Sequence, residues 1–578
     1  MHRPRPDHRS TPSLRYTKRA ERTPRVAART RRLGNDLAAI PVKRHRHSGD
    51  PRWQLQTRRP IPARVHHERI TLIPERENTR EHPNSHPRNR RSAPAFGHVV
   101  GTSDLGLGTP SICPTSQARI WNETALGSGK KPISDLERRC PRIWKEIPYA
   151  CPMPASLIDR RILSIVEDRL TESPVVVLQG ARSVGKSTVL AELARRYDVE
   201  IADLDDVAVR ARVQASPSDA VRGPSPVCID EHQHVPELLQ AIKAELNRQH
   251  DNGRWLLTGS ASFWAMPRGT QALTGRIQLV EVMPFSQGEL DGVHEDFFDL
   301  ALTAPDALAV PKRPVTEREE YEQRTCRGGM PLAVHATDRQ RANFYRSYLG
   351  ASLARDILDL SRVRQINVLP RLMERLTAQT GQVLNVVKAS TAAGIEPRSG
   401  DNYTRLLEAL FLIRRLPAWG RTLRSRTAHS PKLHVVDSGL AAYLLGITPE
   451  KLARRDPAAL AEFGHLFETF VVDELLKQAS WRDDVREVGH WRTHDGQEVD
   501  LVVETLDGSV VGFEIKAGRE VDKNALRGLV ALRDTLGDQF HAGYVLNTGS
   551  EAYRIDDRIY VCPVDRLWQR NGDPIRER

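Results

Sequence analysis

Eight residues, Gly180-Ala-Arg-Ser-Val-Gly185-Lys186-Ser187, constrain this chain more than any other feature. They follow a short apolar run, Val175-Val-Val-Leu178, and precede a segment with helical spacing, so the glycines fall where a buried strand hands over to a helix. Glycine lets the backbone curl until successive N–H groups face one side, and the start of a helix adds partial positive charge there, which suits phosphate oxygens. In the pattern G-x-x-x-x-G-K-[ST], Lys186 is a point charge for β- and γ-phosphate oxygens and the Ser187 hydroxyl is a hard ligand for Mg²⁺. Gly180, Ala181, Arg182, Ser183, Val184, Gly185, Lys186 and Ser187 are therefore candidate contacts to ATP or a related nucleoside triphosphate, and Thr188 could add one at the helix start. A chance glycine turn before a helix is the competing reading, and strand, loop, lysine and serine together outweigh it.

Later strands supply partners for that loop. Pro226-Val-Cys-Ile-Asp230-Glu231 ends an apolar strand in two carboxylates. Asp230 suits a water-mediated contact to Mg²⁺, and Glu231 suits polarising the attacking water as general base. An acidic strand end capping the next helix is the alternative, weaker downstream of a phosphate loop. Trp255-Leu-Leu-Thr258-Gly259-Ser260 is another apolar strand, and placed between the other two it would bring Thr258 or Ser260 to the γ-phosphate; a plain Gly-Ser turn fits these residues equally. Arg276 precedes the strand Ile277–Val282. It could reach a phosphate as an arginine finger does, in its own subunit or in a neighbour within a homo-oligomer, or it is a surface arginine. Strands alternating with helices imply parallel βαβ units and an α/β sheet.

The basic overall charge gives no argument for nucleic-acid binding by the folded part. The formal net charge is +13, but residues 1–152 hold about 31 Lys and Arg against about 13 Asp and Glu, and the remainder is slightly acidic. That basic stretch is rich in Arg, Pro and His, lacks periodic apolar residues, and reads as disordered. It is either an arm for nucleic acid or an over-extended reading frame ahead of Met153, the reading favoured here. The six cysteines are scattered, none as C-x-x-C, which argues against a disulfide framework or zinc site. No run approaches the roughly 20 apolar residues of a membrane span, and no apolar stretch follows the basic N-terminus as a signal peptide requires. The expectation is a cytoplasmic protein with no membrane partner.

Residues 341–447 read as mainly helical. Val383–Ser390, a break at Gly394–Gly400, and Tyr403–Ile413 fit a helix-turn-helix followed by a strand, in which Tyr403, Thr404 and Arg405 would face a DNA groove; a helical protein-interaction domain is the alternative. Towards the C-terminus, Glu498-Val-Asp500-Leu-Val-Val-Glu504 and Val510-Val-Gly-Phe-Glu514-Ile-Lys516 alternate like two strands of a hairpin. Period two puts Glu514 and Lys516 on one face, and the hairpin brings Asp500 near them. Glu468 lies on a helix upstream. Carboxylates at Glu468, Asp500 and Glu514 could hold Mg²⁺ while Lys516 steadies a nucleophile, the arrangement of PD-(D/E)xK nucleases, with Val499 where that motif has proline. A salt-bridged strand face is the bland alternative.

The ordered series G-A-R-S-V-G-K-S-T, I-D-E-H-Q, L-L-T-G-S, L-T-G-R, M-P-F-S and G-G-M-P resembles a large group of bacterial and archaeal ATP-binding proteins, which pair an AAA-type ATPase domain with a C-terminal domain similar to PD-(D/E)xK nucleases. The likeness runs over about residues 157–565. Gly328-Gly329-Met330-Pro331 matches the turn after the ATPase core, while His232 departs from the aliphatic residue usual after the acid pair and introduces a pH-sensitive group beside the base. The resemblance implies an α/β chain: an AAA-type P-loop domain with a parallel sheet over 153–290, a helical connector over 291–365, a winged-helix-like domain over 366–450 and a restriction-endonuclease-like α/β domain over 451–578. It implies ATP and Mg²⁺ as cofactors, and it leaves DNA as a candidate partner. Catalytic roles fall to Lys186, Glu231 and Arg276. The C-terminal domain either cleaves DNA or is an inert fold in an ATP-switched binding module. A scaffold that binds nucleotide without hydrolysis is the third reading.

Overall fold

The computed structural model describes residues 158–263, 273–311, 316–353, 366–422 and 430–571; the basic segment 1–152 and Met153 lie outside them. The first layer of structure is a five-stranded sheet built from β1 (Val175–Gln179), β2 (Ile201–Asp203), β3 (Val227–Asp230), β4 (Trp255–Gly259) and β5 (Ile277–Glu281), in the order β2-β3-β4-β1-β5. All neighbours are parallel. β1 is apolar from Val175 to Leu178, as suits a strand covered on both faces. Val176 and Leu178 join one core with Val189, Leu190 and Leu193 of the helix that follows, and Val175 and Val177 join another with Leu238, Leu239 and Ile242. Each such side chain contributes about 1.5–3 kcal/mol on burial. α1 (Ile162–Glu172) precedes β1, α2 (Lys186–Tyr197) follows it and α3 (Glu237–Leu246) lies before β4. The order puts β4 between β1 and β3, as the sequence requires for Thr258 to face both.

A short helix, α4 (Gln287–Asp291), starts with a capping box in which Ser286 and Glu289 satisfy each other's backbone N–H. α5 (Arg318–Arg327) and α6 (Asp338–Ala351) follow. The stretch expected to be a helical connector packs onto the C-terminal sheet and its long helix. Phe298 stacks on Phe513 with ring centroids 6.1 Å apart, and Tyr321 meets Phe467 edge-on at 6.0 Å. Such long-range aromatic contacts leave no local periodicity, so the sequence shows only a polar, proline-containing stretch.

Next come α7 (Leu369–Thr377), β6 (Gln382–Val383), α8 (Val386–Ala393), α9 (Pro397–Ala409), β7 (Ile413–Leu416) and β8 (Lys432–Val435), with the strands in an antiparallel sheet of order β6-β8-β7. The Asn385 side chain caps α8, Gly394 ends it in the left-handed region and Pro397 opens α9. The face proposed for DNA is corrected here. Thr404 is fully buried and donates to the Gly400 carbonyl oxygen at 2.8 Å, Tyr403 packs against the core, and the exposed Arg405 is paired with Asp401 at 3.1 Å. The α9 periodicity that marks a helix turns Thr404 inward and leaves Arg405 outside.

The last unit holds α10 (Ser438–Leu445), the long α11 (Pro457–Ser480), β9 (Val485–Arg492), β10 (Glu498–Thr505), β11 (Val510–Ile515), α12 (Lys523–Leu536), β12 (Phe540–Asn547), β13 (Tyr553–Asp556) and β14 (Ile559–Pro563). Its six strands run in the order β13-β14-β12-β11-β10-β9. β10 and β11 form the expected hairpin, with Leu501 opposite Phe513, and β11 pairs β12 in parallel. The helices α11 and α12 flank this sheet. β9 is joined to the middle sheet by Trp419, whose backbone N–H donates to the His490 carbonyl at 2.7 Å and whose indole donates to Glu504 at 2.9 Å. No helix among the described residues is long and apolar enough to cross a membrane.

Candidate nucleotide site and carboxylate cage

The loop between β1 and α2 is held tightly. Gly180 has φ +150°, and a Cβ there would stand 2.3 Å from the Val282 carbonyl oxygen, so no larger residue fits. Ser183 and Gly185 also take positive φ, 63° and 98°. The Lys186 ammonium is buried over the loop, 3.1 and 2.9 Å from the carbonyl oxygens of Gly180 and Ala181. Arg160, which sequence reasoning did not single out, clamps this loop from outside. Its guanidinium donates to the Val184 carbonyl at 3.1 Å, to the Met283 carbonyl at 2.7 Å and to Glu289 at 3.2 Å, and lies over the Phe285 ring at 4.6 Å. That is the structural meaning of the M-P-F-S run. In G-G-M-P, Gly329 passes so close to Phe285 that a Cβ would meet its carbonyl oxygen at 2.2 Å. A cavity of about 480 Å³ opens beside α2, lined by Ile158, Gly185, Thr188, Phe285, Leu332 and His335 among others. A larger one, about 690 Å³, sits at the start of β2 and β3, the opposite sheet end from Asp230.

Asp230 and Glu231 close the site from β3. The Asp230 carboxylate accepts from the hydroxyls of Thr258 and Ser187. Burial pushes its pKa up, and those two hydroxyls only partly restore it. A buried carboxylate with neutral partners beside a serine hydroxyl is a donor set that a hard dication suits. Glu231 takes the left-handed region at φ 52°, costing of order 1 kcal/mol, and its N–H donates to Thr258 Oγ1 at 3.0 Å. Thr258 thus holds both acids. The Gln233 amide donates to the Glu231 carboxylate and, at 3.1 Å, to Ser260. Sequence reasoning left Thr258 and Ser260 as alternatives; in the fold Thr258 bonds both acids directly, and Ser260 reaches them only through the Gln233 amide.

Two expectations change. His232 is wholly buried, and its Nδ1–H donates to the Thr258 carbonyl at 2.6 Å. Burial holds its pKa below the ordinary value against the raising effect of that carbonyl and of Glu231, so the ring stays neutral near pH 7 and adds no charge switch beside Glu231. Arg276 donates to Asn247 at 2.9 Å and precedes Ile277, which pairs with Val175 at the start of β1, whereas the phosphate loop leaves its far end. The parallel register therefore turns Arg276 away from the loop of its own chain.

The C-terminal residues do converge. Asp500 on β10 accepts from the Ile515 N–H at 2.9 Å, and Lys516 sits 2.6 Å from Glu514. Glu468 on α11 faces the same point. The sequence missed what joins them: Lys432 of β8, with its ammonium 2.8 Å from Glu468, 2.5 Å from Glu498 and 2.8 Å from Asp500. Burial opposes the Lys432 charge, but Asp500, Glu468 and Glu498 outweigh it and raise its pKa well above the ordinary value. Burial and Asp500 push Glu468 up to about 8 despite Lys432, and Glu514 is raised for the same two reasons despite Lys516. Among the described residues, no three His, Cys, Asp or Glu side chains form a set arranged to hold a metal.

Three family models match successive parts of the chain. Residues 172–291 match the AAA domain, residues 318–451 a domain of unknown function (DUF8612) and residues 463–567 another (DUF4143). Uncharacterized proteins of Mycobacterium bovis and Mycobacterium tuberculosis are each 26% identical over 416 residues, covering 71% of this chain and 85% of theirs. Among solved structures, the Thermotoga maritima RuvB Holliday junction branch migration motor is similar at 16% identity, covering 46% of this chain and 93% of that one, with a TM-score of 0.22, a level that carries no residue correspondence.

Proposed function

We propose, from the AAA-type ATPase domain over residues 172–291, that the protein is a Mg²⁺-dependent ATPase whose turnover acts on the C-terminal nuclease-like domain. The observation that carries this is the single bonded set of Ser187, Asp230, Thr258 and Glu231 facing the loop of Lys186. Lys186 and the loop N–H groups would take the phosphates, and the cavity beside Gly185 and Thr188 has room for the nucleoside. Ser187 and Asp230 would hold Mg²⁺, which supplies charge neutralisation on the phosphate oxygens. Glu231, oriented by Gln233, would accept the proton of the attacking water. The arginine finger assigned to Arg276 would have to act on a neighbouring copy. The test is phosphate release by the full chain. Lys186→Ala should lose nucleotide binding, and Glu231→Gln should keep binding but release phosphate about 10²–10⁴-fold more slowly. Equal release by native chain and Glu231→Gln would leave a nucleotide-binding scaffold.

The order α11-β9-β10-β11-α12-β12 and the convergence of Glu468, Asp500, Glu514 and Lys516 support the nuclease-like reading of residues 451–578. Three helices with the β6-β8-β7 sheet support a winged-helix-like middle. DNA is the proposed partner. Stimulation of phosphate release by DNA would support it, and a rate indifferent to DNA would favour a protein target.

A further inference from the structure

The nuclease-like reading implies a divalent ion among the C-terminal carboxylates, and the side chains there do not fit one. Lys432 reaches in from a different sheet. Its side chain is 2% exposed, and its three N–H donors find three carboxylates, Glu468, Glu498 and Asp500, at 2.5–2.8 Å. The remaining oxygen of Asp500 is taken by the Ile515 N–H, and Glu514 is paired with Lys516. A Mg²⁺ ion needs near-octahedral oxygen ligands at about 2.0–2.1 Å. Here one oxygen each of Glu468, Glu498 and Asp500 is spent on the ammonium that sits among them, while Glu514 Oε2 stays buried without a hydrogen-bond partner, too few free oxygens for such a shell. Like-charged carboxylates buried together require a cation, and the fold supplies its own.

We propose that the Lys432 ammonium is the resident cation of this cage, and that the C-terminal domain takes no divalent metal while β8 is packed against it. Metal-dependent phosphodiester cleavage is then not its activity, and the cage serves to join the middle sheet to the C-terminal sheet. The proposal rests on the nuclease-like reading only for what the lysine replaces; it is independent of the ATPase.

The experiment is a Mn²⁺ titration, followed by electron paramagnetic resonance, on the nucleotide-free full chain carrying Asp230→Asn. That change silences the nucleotide site, so failure of the ATPase reading would leave the result unaffected. No stoichiometric Mn²⁺ should bind this parent. Adding Lys432→Met should create one site at least tenfold tighter than any in the parent, and Asp500→Asn should remove it again. A parent that binds one Mn²⁺ and loses it with Asp500→Asn overturns the proposal. So does Mg²⁺-dependent plasmid nicking by the native chain that Asp500→Asn abolishes. Both results are read without a Lys432 variant, so they stand even where Lys432→Met does not fold. A folded Lys432→Met chain that gains no site also overturns it.

Discussion

Glu295 shows how a single buried group writes a pH dependence into this molecule. Burial lifts its pKa from 4.5 to about 7, against the lowering effect of the Ser286 hydroxyl that donates to it. Between those two values only the unfolded chain gives up the proton as pH rises. Stability is therefore greatest below about 4.5 as far as this group is concerned, falls up to about 7, and is level above. Glu295→Gln keeps an acceptor for Ser286 and should flatten that slope, gaining on the order of 2–3 kcal/mol at pH 8 relative to pH 4.5. Denaturant unfolding at several pH values measures it. His232 yields a second expectation at this scale. Since its ring is neutral and serves as packing with one hydrogen bond, His232→Leu should cost about 1 kcal/mol of stability and leave the pH profile of phosphate release unmoved. A profile displaced by that change would return His232 to the chemistry.

Among the elements, the loop between β1 and α2 depends on a residue outside both. Arg160 spends its donors on Val184, Met283 and Glu289, all part-buried. Arg160→Ala removes hydrogen bonds of a charged donor, each worth about 1.5–3 kcal/mol, and leaves the loop carbonyl of Val184 without this partner. Nucleotide affinity should fall about 10- to 100-fold while the far-ultraviolet circular dichroism stays native; unchanged affinity would show that the loop keeps its shape unaided. α11 is the other decisive element. Its Glu474 accepts from the Gln287 N–H at 2.8 Å, its Lys477 donates to the Phe285 carbonyl at 3.0 Å, and the same helix carries Glu468 into the cage.

On the scale of the whole molecule, those contacts form one bonded run: Val184, Arg160, Phe285, Lys477, then along α11 to Glu468, Lys432 and Asp500. Contiguity alone is not coupling, so the prediction is a measurement. With ATP bound, amide exchange in residues 498–516 should change, and Lys477→Met should abolish that change while nucleotide affinity stays within about threefold, a margin under 1 kcal/mol. Exchange that responds equally in both chains would remove α11 as the route.

Much of both candidate sites was legible in the sequence, because the signals are local. Gly180 to Ser187 lie in one run, Asp230 and Glu231 end one apolar strand, and Asp500, Glu514 and Lys516 sit at period two on one hairpin. Periodicity also identified α9 as a helix, but not which face it buries, so Thr404 was assigned outward and lies inside. Arg276 was read from its neighbours in sequence, and the parallel register of β5 placed it at the other end of the sheet. The sequence alone therefore determined which loop is the candidate for phosphate and which strands carry carboxylates. Only the tertiary structure decided what completes each site: Arg160 meets Glu289 across 129 residues and Lys432 meets Asp500 across 68. At such separations no spacing rule links two side chains, and a buried charge finds its counter-ion through packing that only the folded chain creates.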